Sequence, residues 1–551
     1  MTPRTKLRMQ IAVMLLLSSV SAVAQAANQQ TATSANGFRV AGTAVSKIDG
    51  HPLSRARIIL RDSRNPKEFE GVITSDDGKF EFTGLPARKF SLTGSKKGFI
   101  TSGYDQHENF WTAIVTGAGV DTEHLTLKLA PAAIITGKVL DEAGEPVRGA
   151  LLELFLDSHD EGVDQIRRFR TTETNDLGVY ELTPLMPGTY FLSASGRPWY
   201  AVHRQTPPSN PDAPKDAASD VDRSLDVAYP TTYYADVLDT ESATPIPVRG
   251  GERLEIDFHM SPVPALRLVF HVPETGKNNY VYPRLEQPAF DGSSFFHAGG
   301  MRMISPGLVE MTGIPAGRYD VRLQGPETFS QVNGVDLTKD GEEIDVSNAE
   351  PTSTVKVSVR LPGEPSLPPE LAVGLRGKSR AISNWKKLDA KGEAEIDLIP
   401  AGRYELLVWG SRKPVMVASL SSPDTEVSGH TVVVRPGSSP SLTITLTQGE
   451  SEINGTVKRA GKPFGGAMVV LVPKDPDAYK DLFRRDQSDL DGTFTMRNVI
   501  PGSYTILAIE NGWDLEWSKP DVVAAYAKHG QKVEIGSRTV NLSEPIEAQS
   551  K

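Results

Sequence analysis

The chain has 551 residues, with 59 basic against 69 acidic side chains, a formal charge of −10 and 38% apolar residues. At ~150 residues per domain that leaves room for three or four domains, and the acidic balance gives no footprint for a phosphate backbone, so nucleic acid is a poor match as a partner. Cysteine is absent, which rules out disulfides, thiolate zinc sites, cysteine nucleophiles and a lipid-bearing N-terminal cysteine.

At the start of the chain, Arg4, Lys6 and Arg8 precede an apolar run from Ile11 to Val23. Ala24-Gln25-Ala26 then supplies the small-x-small pattern at which a secretory signal is cut. A membrane anchor would need about 20 apolar residues, and Ser18, Ser19 and Ser21 interrupt this run. The sequence therefore predicts a signal peptide over 1–26. The mature chain is expected to be exported, periplasmic or extracellular and surface-associated, with no transmembrane segment after cleavage.

A repeated phrase organises everything downstream. It reads Gly-x-aromatic/apolar-x-apolar, then a Pro-containing turn, then x-Tyr/Phe. Its copies lead with Gly78, Gly178, Gly307, Gly392 and Gly492 and end on Phe90, Tyr190, Tyr319, Tyr404 and Tyr504. Alternation at Phe80/Phe82 or Phe494/Met496 is a half-buried strand. The Pro presets a turn, and Gly188, Gly317, Gly402 and Gly502 are expected to supply positive φ before the next strand. The first copy carries Arg88 instead, so its turn is expected to differ. Three copies have an upstream phrase, Gly-x-Pro-apolar-x-x-Ala, at Gly50-His51-Pro52-Leu53 to Ala56, Gly144-Glu145-Pro146-Val147 to Ala150, and Gly461-Lys462-Pro463-Phe464 to Ala467. Gly-led turns at Gly251, Gly341 and Gly530 introduce one more strand each.

About seven short strands per unit predict all-β architecture, a tandem array of about five two-sheet sandwiches of transthyretin-like/Ig-like form. The phrases place modules one to five at 38–131, 132–263, 264–350, 351–448 and 449–551. Gln205 to Ser224, rich in Pro and Asp, reads as a mobile loop within module two. One helix is predicted, from Pro520 to His529, with Pro in its first turn and Gly530 beyond its end.

The combination Gly-x-Val … Gly-x-Pro-Leu-x-x-Ala … Asp-x-Gly-x-Phe … Leu-Pro-x-Gly-x-Tyr resembles the carboxypeptidase regulatory-like domain, a transthyretin-like (prealbumin-like) β-sandwich. The resemblance is strong in modules one, two and five and weaker in three and four, which lack the upstream phrase. It implies a multi-repeat exported bacterial protein with a carbohydrate-binding-like fold and no activity of its own. Fold alone does not give function.

Catalytic and metal chemistry is sought and not found. His271-Val272-Pro273-Glu274 has zinc-carboxypeptidase spacing, yet Pro273 spoils a helical ligand pair. Val272 to Gly276 resembles a sortase signal without the apolar tail such a signal needs. Asp489-Leu490-Asp491-Gly492 has the middle of a calcium loop, with Gln487 and Asn498 where outer carboxylates belong; it reads as a hairpin turn. No catalytic residue, metal ligand or cofactor is assigned.

Aromatic residues remain. Phe99, Trp199 and Trp513 each lie at the same offset after the motif aromatic, so packing is expected of them, and of Trp385 and Trp409 at strand ends in module four. The non-recurring rings beside carboxylates are the ligand candidates: Tyr104, Asp105, Glu108 and Trp111 in one loop, Tyr233 and Tyr234 in another, and Trp517 near the last helix. Rings interleaved with hydrogen-bonding groups suit a polyhydroxyl ligand; the alternative is that these loops pack on a neighbouring module. The sequence thus points to a non-enzymatic binding protein whose partner is a polysaccharide (carbohydrate binding) or an envelope protein. A structural spacer or adhesion stalk is the alternative, and an envelope hydrolase a third.

Overall fold

A computed structural model describes residues 37–551 apart from 160–161, 205–221, 274–280, 325–328, 347–350, 365, 378–381, 411–414, 449–450, 478 and 480–481. The expected signal peptide, most of the loop at 205–224, and Glu274 fall outside the described residues.

The chain is an all-β array of tandem modules. In module one, Lys79–Leu85, Phe38–Ser46 and Leu125–Leu129 form one sheet. It faces a second sheet of Phe69–Ile73, Arg57–Asp62, Lys89–Ser95 and Ser102–Gly103. Val40, Phe80 and Leu127 from the first sheet meet Ile58, Phe90 and Leu92 from the second in one buried cluster. The other four stretches repeat the plan with their own clusters. The opening strand always pairs in parallel with a closing strand: Gly42 with Leu125, Ile135 with Leu254, Phe270 with Ile344, Val357 with Leu442, and Val457 with Ile546. In module five the last strand, Ile546–Ser550, also pairs with Gly502–Glu510, joining both layers into a nine-stranded sheet. The Gly530-led strand Gln531–Ile535 differs from its namesakes. It pairs with Gly502–Glu510, whereas those after Gly251 and Gly341 pair with the opening strand.

The five-copy phrase has a local physical cause. Its leading glycine takes positive φ in every copy, from 68° at Gly178 to 82° at Gly392. A Cβ on Gly492 would stand 2.4 Å from the Val457 carbonyl oxygen, so no side chain fits there. That close approach lets the glycine carbonyl accept the N–H of the opening strand: Ala44, Val139, Val272, Val359 and Val457 all donate to it. The second glycine does something else. Gly188, Gly317 and Gly402 lie outside the left-handed region, contrary to the expectation of positive φ. Instead each lies against the ring of the tyrosine two residues on, where an added Cβ would be 3.3 Å from the Tyr404 ring. The ring lies back over the turn, and its hydroxyl donates to the carbonyl four residues earlier: Met186, Pro315, Pro400 and Ile500 accept from Tyr190, Tyr319, Tyr404 and Tyr504 at 2.8–2.9 Å. Module one has Phe90 and no such hydroxyl. There Thr116 Oγ1 donates to the equivalent Pro86 carbonyl at 2.7 Å and accepts the N–H of Arg88 at 3.0 Å.

The upstream phrase also has a partner that the sequence reading missed. Thr74, Thr174 and Ser488 each donate a hydroxyl to the carbonyl of Leu53, Val147 or Phe464 and accept the N–H of Ala56, Ala150 or Ala467. These alanines are fully buried, so the hydroxyl closes a turn that water cannot reach. Modules three and four have Met303 and Leu388 at the matching position and lack the phrase. Among the described residues the one α-helix is Pro520–Ala527, two residues shorter at its end than predicted. No helix among those residues is long and apolar enough to cross a membrane.

Candidate functional site

The loop with most of the sequence candidates, 104–111, follows the short strand Ser102–Gly103, which pairs with Lys89–Ser95. Its partner is module five, nearly four hundred residues away. Arg485, on strand Arg484–Gln487, has a side chain only 4% exposed. Glu108 grips its guanidinium at both nitrogens, at 3.1 and 2.5 Å, and the rings of Trp517, Phe110 and Trp513 surround it at 4.3, 5.2 and 5.5 Å. The imidazole of His107 stacks on Trp513 at 4.9 Å and 4°. Gln487 donates from Nε2 to the Asp105 carbonyl and to Thr112 Oγ1, both at 2.7 Å. Asp105 fits because Gly466 has no Cβ: one there would sit 2.3 Å from the carboxylate.

A second ion pair completes this seam. Lys89 Nζ donates to Asp489 Oδ2 at 2.5 Å and to Thr493 Oγ1 at 2.8 Å, while Asp489 Oδ1 accepts the N–H of Ala113. The calcium-like turn is thus filled by a lysine ammonium from module one. Asp491 accepts from Thr493 of its own turn, and no group of carboxylates and histidines among the described residues could hold a metal ion. Burial raises Asp489, with Lys89 pulling the other way. Burial also pushes Asp486 up to about 6, overcoming the N–H groups of Thr495 and Gln487 that its carboxylate accepts.

The candidates therefore lie as follows. Tyr104 packs on the core of module one. Asp105 accepts from Thr112 at 3.0 Å and borders the seam. Glu108 is in the seam, as is Trp517, whose buried Nε1 has no hydrogen-bond partner. Trp111 is 46% exposed, its ring base set against Gly103. Tyr233 is buried at a different seam, where Phe290 of module three contacts Tyr233, Phe155 and Phe191 of module two. Tyr234 packs against the core of module two. One seam gathers Asp105, Glu108 and Trp517, and Tyr233 and Tyr234 lie apart from them. Arg485 and Lys89 had no sequence signal, and Gln487 and Asp489 were read only as parts of a hairpin turn, because nothing local to any of them names a partner so distant.

The rings expected to pack divide. Trp513 is 9% exposed, whereas Trp199 is 80% and Trp409 70% exposed, with Trp385 at 41%. Recurrence at one offset did not mean burial: module two turns Trp199 outward where module five turns Trp513 into the seam.

Among solved structures the chain is similar to the Bacillus anthracis TIE protein, at 12% identity over 77% of this chain and 76% of that one, with a TM-score of 0.17. A Streptococcal ancillary pilin matches at 12% identity over 52% of this chain and 98% of that one, with a TM-score of 0.19. GBS52, a minor pilin of Streptococcus agalactiae, matches at 12% identity over 41% and 97%, with a TM-score of 0.20. No protein of curated function matches the chain. Residues 451–535, which carry the module-five side of the seam, match the family described as BOS complex subunit NOMO1-like, second beta sandwich domain.

Proposed function

We propose that this chain is an exported, non-enzymatic protein of carboxypeptidase regulatory-like modules that binds glycan at the cell envelope. One observation supports the reading most: closed modules, each with its own core, turn large indole rings to water, Trp199 at 80%, Trp409 at 70% and Trp111 at 46% exposed. An exposed indole is costly to hydrate and offers an apolar face that a pyranose can cover. In this reading Trp111, at the rim of loop 104–111, is available to ligand, while Glu108 and Trp517 hold the loop in place. A shallow site of this kind binds weakly, with Kd of roughly 10 μM to 1 mM, and several sites on one chain give retention on a polymer. A glycan array probed with the mature chain tests it: binding to at least one polysaccharide is expected, and a blank array with folded protein overturns it.

The structural-spacer reading has its own support in the seam. Glu108, Phe110 and Trp517 are taken up in packing modules one and five together, which is how a chain with no small-ligand site uses such groups. A blank array together with an intact seam would leave that reading standing.

A further inference from the structure

We propose that the outer face of one sheet in module four binds a single strand of neutral polysaccharide, laid across the exposed faces of Trp385 and Trp409. The inference rests on the glycan-binding reading and gives it a site. The sheet runs Ile382–Lys387, Ala372–Arg376, Gly402–Trp409, Thr431–Val434 and Val427–Ser428. Leu371, Val373, Leu375, Tyr404 and Leu406 point into the core, so alternation turns Ala372, Gly374 and Arg376, with Glu405 and Trp409, to the other face.

Trp385 and Trp409 stand on strands separated by Ala372–Arg376, a gap of roughly 10 Å between backbones. Their ring centroids are nevertheless 6.4 Å apart. The rings lean toward each other over the middle strand, where Ala372, opposite Trp409, and Gly374 are small enough to let them. Both rings stay open to solvent at 41% and 70%. The seam rings, by contrast, are covered by a neighbouring module.

The rim decides the ligand. Lys387 lies opposite Ala372 on the far side from Trp409 and is 3.7 Å from Glu370. Arg376 and Glu405 pair at 2.9 and 2.5 Å along the same sheet. The two cations and two carboxylates beside the rings cancel, and the further cation of this face, the exposed Arg403, stands six residues along the strand from Trp409, which leaves little attraction at the rings for a polyanion or an anionic lipid surface. A chain of sugar hydroxyls, each both donor and acceptor, matches groups of both kinds. The ring planes are inclined by 51°. A flat crystalline surface needs coplanar rings, whereas inclined ones meet successive sugar faces of a twisted single chain.

Affinity electrophoresis of the mature chain tests this, in gels cast with laminarin, xyloglucan, glucomannan or dextran, and with alginate as a polyanion. At least one neutral polymer is expected to retard the wild type, and alginate is not. Trp409→Ala and Trp385→Ala are each expected to weaken that retardation about tenfold or more, some 1.4 kcal/mol, with melting unchanged. Should Trp409→Ala destabilise the module, Trp409→Phe, which keeps an apolar ring of smaller face, is expected to give a smaller loss at wild-type stability. Retardation of both alanine variants equal to wild type overturns the site and leaves glycan binding standing elsewhere. Retardation by alginate alone overturns the neutral-ligand assignment. A wild type that no polymer retards removes the site and the glycan reading together.

Discussion

Two aromatic clusters of this molecule are built from the same residue types and end in opposite situations. At the seam of modules one and five, Phe110, Trp513 and Trp517 enclose Arg485, and Glu108 neutralises it. On the outer face of module four, Trp385 and Trp409 stand beside Arg376–Glu405 and Lys387–Glu370. In the seam the charges pair across two modules and the rings are covered. On the face the charges pair along one sheet and the rings stay open. Rings interleaved with charges therefore do not distinguish ligand surface from mortar. The partner of each charge does: an ion pair that crosses between modules marks a contact already occupied.

The largest expected effect breaks the seam. Glu108→Ala leaves the Arg485 guanidinium buried without its carboxylate, a loss of about 3–5 kcal/mol. It should appear as faster hydrogen exchange at Ala113 and Leu490, whose N–H groups bond across the seam. Unchanged exchange at both amides would mean the ion pair contributes nothing to docking. Trp409→Ala should leave the same amides, and the melting temperature, as they were.

A comparable loss is expected beneath the open face. Tyr404 is 9% exposed within the core of module four, so Tyr404→Ala should cost about 3–5 kcal/mol. Tyr404→Phe, which loses only the bond to Pro400, should cost about 0.5–1.5 kcal/mol. Chemical unfolding of the two variants checks the pair. A loss below about 1 kcal/mol for the alanine would show the ring is no part of the core. This variant also separates collapse of module four from loss of its surface rings.

Thr116 tests how module one holds its side of the seam. Its hydroxyl ties down Pro86 and Arg88, next to Lys89, which reaches Asp489. Thr116→Val takes the hydroxyl from the Pro86 carbonyl and the Arg88 N–H, both on exposed residues, at a cost of about 0.5–1.5 kcal/mol. A thermal melt of the variant should show it, together with weaker protection at Ala113. No shift would mean that water replaces the hydroxyl.

The modular fold was legible because the signals that make it are local. A leading glycine under a neighbouring carbonyl, a Pro turn and a tyrosine folded over its own turn all lie within a dozen residues of chain, and they recur. Even there the reason for Gly402 was misread: positive φ was expected, and the tyrosine ring is the cause. Thr74, Thr174 and Ser488 stand four residues before the leading glycine and bond 18 to 27 residues back along the chain, and the matching Met303 and Leu388 would have exposed the pattern. The site was less legible. Glu108 and Arg485 meet only because modules one and five touch, and no periodicity encodes a contact between distant modules. Trp199 and Trp513 share one offset and opposite exposures for the same reason: what covers a ring is decided by its neighbours in space.

The smallest effect sets the two regions against each other through pH. Burial pushes Asp486, on the seam strand, up to about 6 from 3.8. Between those values the folded state holds more protons than the unfolded, so this group makes stability fall as pH rises. Burial, with the Arg484 cation beside it, pushes His430 of module four down to about 4 from 6.5. There the unfolded state holds more protons, so this group makes stability fall as pH drops through the same window. The two oppose each other, and the wild-type melting temperature should vary little from about pH 7 to about pH 4 on their account. Asp486→Asn removes the first dependence, and that variant should lose stability on acidification faster than wild type. His430→Gln removes the second, and its melting temperature should hold or rise over the same range. If both variants follow the wild-type profile, neither group changes its proton affinity on folding, and the buried charges of the seam are better solvated than their surroundings imply.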